Sequence, residues 1–294
     1  MHKPLLILPF DHRSTFAKGF LGYTYPLDKK QAKKVTELKE IVYSAFKQSL
    51  PKFRNPKHFG ILIDEDYGAR IIRDAKRLGC LRAVTTEKSG KKEYQFQYGN
   101  EFGKHLLKFE PDFAKALVRY NPSNKEVNKR QLKRLSRLST FCKQNGIGLL
   151  FELLVPPTEK DLKKAGSKKS YDQGLRIDLT VKAIKEIRKH VDVDVWKLEG
   201  TSKAGWKRIL PTLEEGDRVI VLGRGEDEAH VRKWLSDAAS FPEVIGFAVG
   251  RTIFAKPLKD YLVKKITKKQ ATERVAKNFQ SFVRLWSKEK GMKF

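Results

Sequence analysis

Eight short apolar runs, each followed by sequence with helical spacing, constrain the fold of this chain more than any other feature. The runs fall at residues 5–10, 58–63, 81–85, 114–120, 148–155, 193–198, 218–222 and 244–249. They are near-continuously hydrophobic, as strands covered on both faces are. Between them the spacing turns helical. Residues 30–49 carry Val35, Leu38, Ile41, Val42, Ala45 and Phe46 on one stripe. Further helices are expected over 69–78, 105–109, 126–144, 179–189, 203–210, 228–239, 257–266 and 271–286. Residues 87–102 read as an irregular excursion or small hairpin. Residues 158–174 read as a long Lys-rich loop, a candidate mobile cover for a site.

Strands alternating with helices imply a parallel sheet with helices outside it. Eight such units in 294 residues predict an α/β fold, a single (β/α)8 TIM barrel over 1–294 with an extra C-terminal helix. No Gly-x-Gly-x-x-Gly opens the first strand–helix turn, which weakens an open dinucleotide-binding sheet.

Composition narrows the function classes. The formal net charge is +28, which attracts polyanions and steers small phosphorylated substrates alike. The basic residues are spread along helices and one loop, without zinc-finger, RNA-binding or basic-zipper spacing. Nucleic acid is therefore not expected as the primary partner. Two cysteines, Cys80 and Cys142, make no disulfide framework or metal-ligand pattern. The apolar run at 5–10 is too short for a signal segment or a membrane span, so a cytoplasmic protein without a membrane partner is expected. The sequence leaves a homo-oligomer open.

In such barrels the site lies at the C-terminal strand ends, and charged residues gather there. Asp11 ends the first strand, and Asp64, Glu65 and Asp66 end the second. Glu87 follows the third; Lys115 and Arg119 share a face of the fourth; Glu152 lies in the fifth; Lys197 and Glu199 lie in the sixth. Gly223-Arg224-Gly225 ends the seventh and Gly250-Arg251-Thr252 the eighth. The second-strand carboxylates equally suit a helix N-terminus. Single buried charges in strands often form structural ion pairs. Together, however, these need a polar cavity, which a barrel mouth supplies. The two Gly-Arg turns sit where barrels often hold phosphate. A lysine in that cavity attacks a carbonyl when its amine is neutral, and the resulting iminium is an electron sink for carbon–carbon bond cleavage. Glu152, one strand away, is placed to shuttle protons, and Glu199 to orient the lysine. This chemistry requires no cofactor beyond the covalent iminium, and no metal. His12 reads as structural or substrate-contacting.

Several runs, in order, carry a family resemblance: Phe10-Asp11-His12-Arg13, Ile63-Asp64-Glu65-Asp66-Tyr67-Gly68, Glu87-Lys88-Ser89-Gly90, Phe151-Glu152-Leu153-Leu154, Val195-Trp196-Lys197-Leu198-Glu199 and Val249-Gly250-Arg251-Thr252. They resemble the class I tagatose-1,6-bisphosphate aldolases. Closer still is the aldolase-like domain fused to 5-dehydro-2-deoxygluconokinase in inositol catabolism. The resemblance implies a Schiff-base Lys197, an acid/base Glu152, polar substrate contacts from Asp11 and Lys115, and phosphate binding around Gly223, Arg224, Gly250 and Arg251. The expected function is a metal-independent class I aldolase acting on a phosphorylated keto sugar or sugar acid, with dihydroxyacetone phosphate as the carbonyl partner. Two rivals stay open at this point: another Schiff-base lyase of transaldolase type, and a non-catalytic barrel that binds phosphosugar or nucleic acid.

Overall fold

The structure is a computed structural model and describes residues 3–53 and 55–292. Eight parallel strands close into a barrel in sequence order, β8 pairing back onto β1. They are β1 (Leu5–Pro9), β2 (Phe59–Ile63), β3 (Leu81–Thr85), β4 (Phe113–Arg119), β5 (Gly148–Leu154), β6 (Val195–Glu199), β7 (Arg218–Leu222) and β8 (Val244–Ala248). The helices are α1 (Ser14–Leu21), α2 (Lys29–Ser49), α3 (Glu65–Arg77), α4 (Phe102–Phe109), α5 (Lys125–Gln144), α6 (Glu159–Ala165), α7 (Lys168–Gln173), α8 (Leu175–Arg188), α9 (Lys203–Ile209), α10 (Glu228–Ala239), α11 (Arg251–Leu262) and α12 (Lys268–Glu289). The fold is a single (β/α)8 barrel with an extra C-terminal helix, as the alternation predicts. Among the described residues, no helix is long and apolar enough to cross a membrane.

Side-chain alternation divides the strands into two cores. Leu5, Ile7, Leu62, Phe113, Leu150 and Val195 point inward and plug the lower barrel. Their neighbours Leu6, Leu8, Leu149, Phe151, Trp196 and Leu198 point outward and pack in the layer under the helices. A plugged floor leaves the upper barrel as the place where inward-facing polar groups can meet water and substrate. The extra helix α12 lies along α2; the Phe279 ring stands 6.0 Å from Phe46 and 6.4 Å from Phe59.

Two local expectations are corrected and one helix is added. Residues 158–174 are not a loop but α6 and α7. Thr158 and Asp161 form a reciprocal capping box that starts α6, and the Ser167 hydroxyl caps α7. Residues 14–21 form α1, which the sequence reading left unassigned; its first residue follows Arg13, whose side chain makes no cap. The helix expected from Pro257 begins at Arg251 and carries Pro257 inside it. The carbonyl left unpaired by that proline belongs to Ile253, and Asn278 Nδ2 of α12 donates to it at 2.9 Å.

Candidate active site

Parallel pairing sets the site's geometry before any side chain is considered. Glu152 on β5 lies directly opposite Lys197 on β6. Two positions above the plugging residues Leu150 and Val195, both face inward at the mouth. Lys115 stands two positions above Phe113 on β4. Asp11 follows β1, and Glu87 lies just past β3.

These five groups form one network. Lys115 Nζ donates to Asp11 Oδ2 at 2.8 Å and to Glu87 Oε1 at 2.8 Å, and it lies 2.9 Å from Glu152 Oε2. Lys197 Nζ is 3.0 Å from that same Glu152 oxygen. Lys115 thus meets three carboxylates and Lys197 one, and all five side chains are at most 12% exposed. Such burial is tolerable only because every charge has partners. Burial works against the Lys115 ammonium, but Asp11, Glu152 and Glu87 raise it well above the ordinary lysine value. Burial pushes the Asp11 carboxyl up; Lys115, His12 and Lys197 outweigh it and hold it well below the carboxylate range. Glu152 is lowered in the same way, by Lys115 and Lys197 against burial. Burial pushes the His12 imidazole down to about 4 despite Asp11, so it is neutral at pH 7.

The chamber above Lys197 holds about 120 Å³, with Ser89, Gly90, Lys91 and Arg119 on its rim. Ser89 reaches across to the start of α1, where the Ser14 amide donates to its Oγ at 3.2 Å. The 87–102 segment that supplies this rim is a hairpin-like excursion: Lys88 donates to the Gln95 carbonyl and Gln97 to that of Thr86. Arg13 ties it to β1 by donating to the Glu87 carbonyl and to Asp66. Asp64 sits outside the network. It caps α3 through the Tyr67 amide at 2.9 Å and pairs with the buried Lys39.

The Gly-Arg turns stand at the β7 and β8 side of the mouth. Arg224 and Gly225 both take left-handed backbone conformations, with φ of 54° and 80°. A Cβ on Gly225 would lie 2.6 Å from the Arg251 guanidinium, and Arg251 Nη2 donates to the Arg224 carbonyl at 2.9 Å. The two turns are therefore one interlocked unit. Gly250 passes so close to the Pro9 carbonyl that a side chain there would collide with it. Gly223 packs against Val249. Arg224 is already engaged: its Nε is 3.1 Å from Glu199 Oε1 and its Nη1 is 3.0 Å from Asp172 Oδ1. Burial opposes its charge, and Glu199 and Asp172 more than restore it.

The structure thus brings Lys197, Glu152, Lys115 and Asp11 together and adds Glu87, which the sequence reading noted at a strand end without giving it a role. It places Arg119 on the chamber rim, apart from Arg224 and Arg251, where Nη1 donates to the Lys91 carbonyl at 3.3 Å. Glu199 pairs with Arg224, lies 3.7 Å from Arg176 and accepts from the Val155 amide at 3.3 Å, so its charged partners are arginines and not Lys197. The sequence signal for Asp172 as an Arg224 partner was absent, because α7 brings it from a segment read as loop.

A closed (β/α)8 barrel with a buried lysine–carboxylate network at its mouth is the class that fold and site define. The chain belongs to the family described as "Uncharacterized protein conserved in bacteria (DUF2090)", whose model matches residues 1–290. No curated protein shows significant sequence similarity to it. Among solved structures it is similar to a fructose-bisphosphate aldolase from Plasmodium falciparum, crystallised with TRAP and a small-molecule inhibitor. That match has a TM-score of 0.68 at 14% identity and covers 98% of this chain and 91% of the other. It is also similar to a structural-genomics target from Corynebacterium glutamicum, with a TM-score of 0.58 at 16% identity, covering 95% and 86% of the two chains. At these identities the likeness is one of fold.

Proposed function

We propose that this protein is a class I aldolase that cleaves or forms a carbon–carbon bond in a phosphorylated keto sugar or sugar acid through an iminium on Lys197. The observation that carries the reading is the 3.0 Å contact of Lys197 Nζ with Glu152 Oε2 inside the chamber. Lys115 is held beside them as a permanent cation by three carboxylates. Glu152 starts ionised and takes a proton from the Lys197 ammonium. The free amine adds to the substrate ketone. Proton transfer gives a carbinolamine, and Glu152 returns its proton as the hydroxyl leaves as water. The iminium then withdraws the electron pair of the adjacent carbon–carbon bond as that bond breaks. Glu152 accepts the hydroxyl proton of the departing aldehyde. Reprotonation and hydrolysis of the enamine release the ketone fragment, for which dihydroxyacetone phosphate is the proposed compound.

The Gly-Arg unit supports a phosphorylated substrate. The Arg251 and Thr252 amides open α11 ahead of its first bonded amide, that of Ile253, which donates to the Gly250 carbonyl at 2.8 Å, and the Arg251 side chain belongs to the same turn. The substrates proposed are those of the families the sequence resembles: 2-deoxy-5-keto-gluconate 6-phosphate-like or tagatose 1,6-bisphosphate-like compounds. The test is a panel of phosphorylated ketoses and keto acids with enzymatic detection of dihydroxyacetone phosphate. Lys197→Ala is expected to abolish release while its circular dichroism stays that of the parent. Turnover retained in that variant would make the lysine structural and sink the proposal.

A further inference from the structure

A second cavity, of about 710 Å³, lies between α7, the start of α8, α10 and the turns that follow β6 and β7. It shares no lining residue with the lysine chamber. Its volume falls in the range of about 300–1,000 Å³ typical of small-molecule sites. Arg176, which lines it, is 3% exposed. One guanidinium nitrogen donates to the Gly200 carbonyl at 3.1 Å, and another stands 3.7 Å from Glu199. Its Nε has no hydrogen-bond partner among the described residues; Asp172 Oδ1 is 3.4 Å away. A buried fork with five N–H donors is thus only partly used. Lys168 and Arg224 in the same lining pair with Asp172, and Lys233 pairs with Asp237, so Lys169 is the lining cation that joins Arg176 without a carboxylate of its own among the described residues.

Part of the lining is aromatic. Trp196, Trp206 and Trp286 are fully buried, whereas Trp234 is partly exposed and lines the cavity. Its indole is backed by Gly200, where any side chain would strike the ring. The His230 ring stands 5.3 Å from it. A planar, anchored indole in one cavity with the Arg176 guanidinium and the Lys169 ammonium matches a ligand with a flat base at one end and a phosphate at the other.

We propose that this cavity binds a nucleotide, its phosphate toward Arg176 and Lys169 and its base against Trp234. The site stands independently of the lysine chemistry. It touches that chemistry through Glu199, which contacts both arginines and lies two residues beyond Lys197 on β6.

Trp234 supplies the readout, being the partly exposed indole among three buried ones. The full chain is titrated with AMP, ADP, ribose 5-phosphate and inorganic phosphate at constant ionic strength, following tryptophan emission and, in parallel, heat. AMP or ADP is expected to change the emission saturably and to bind at least tenfold more tightly than ribose 5-phosphate or phosphate. The Lys169→Glu/Lys233→Glu variant, altered at exposed positions, is expected to weaken binding tenfold or more. In Trp234→Phe the emission change is expected to vanish. Absence of saturable binding, equal affinity for phosphate and nucleotide, or unchanged affinity in the double variant would each overturn the assignment.

Discussion

Replacing Lys115 by methionine tests the electrostatic frame on which the site rests. The substitution keeps the unbranched shape and removes the charge that Asp11, Glu87 and Glu152 surround at 2.8, 2.8 and 2.9 Å. Removing one partner of a buried ion pair costs about 3–5 kcal/mol, because the other is left uncompensated. Against a total stability of about 5–15 kcal/mol, that is a large share. The pH dependence gives a second, sharper signature. In the parent, Asp11 and Glu152 have folded values below their unfolded ones. Their contribution is therefore complete above the unfolded values near 4 and is lost as pH falls through the folded values, so it is flat between pH 7.5 and 5. The parent's slope there includes the stability lost as His12, with a folded value of about 4, stays neutral while the unfolded imidazole takes up a proton. In Lys115→Met, burial is no longer outweighed at Asp11, which sits at 8% exposure. Its folded value then rises above the unfolded one, the native state binds the extra proton, and the variant gains stability relative to the parent as pH falls from 7.5 toward 5. The limit is about 1.4 kcal/mol per pH unit for each proton taken up. Urea unfolding followed by circular dichroism at several pH values reads both effects. A cost below about 1 kcal/mol, or a pH profile that runs parallel to the parent's, would refute the reasoning.

Two further outcomes follow from the same geometry. Glu152→Gln keeps the side chain's size but removes the proton carrier beside Lys197, so turnover is expected to fall about 10²–10⁴-fold, read by steady-state assay. Gly225→Ala forces a side chain into a backbone at φ of 80° and toward the Arg251 guanidinium 2.6 Å away. It is expected to cost about 1–2 kcal/mol in urea unfolding and to raise KM for phosphorylated substrates more than it lowers kcat.

The barrel was legible because its strands are buried on both faces and its helices on one, so hydrophobic period separates them. β3, β7 and α10 have the very bounds expected, each flanked by clear breaks. The inward parity of Lys197 and Glu199 was also readable, since side chains alternate. Parity alone does not choose partners. Glu199 shares a face with Lys197, yet the β7 turn brings Arg224 within 3.1 Å of it. α6 and α7 escaped notice because a Lys-rich composition masked local caps; Thr158-x-x-Asp161 was the available signal. The expected helix at 257–266 is displaced from α11 at both ends, and Asn278 from a distant helix explains why Pro257 is tolerated within it. Glu87 lacked a role because its place in the network depends on β4 lying beside β3, where Lys115 pairs with Thr85 in register.

The central claim is that Lys197 bonds covalently to a carbonyl substrate, and reductive trapping tests it most directly. The protein is incubated with dihydroxyacetone phosphate, treated with borohydride, digested and mapped by mass spectrometry. The account predicts a single reduced adduct on the peptide carrying Lys197, absent from Lys197→Ala. An adduct at another lysine, or none with any triose or hexose phosphate, would contradict it.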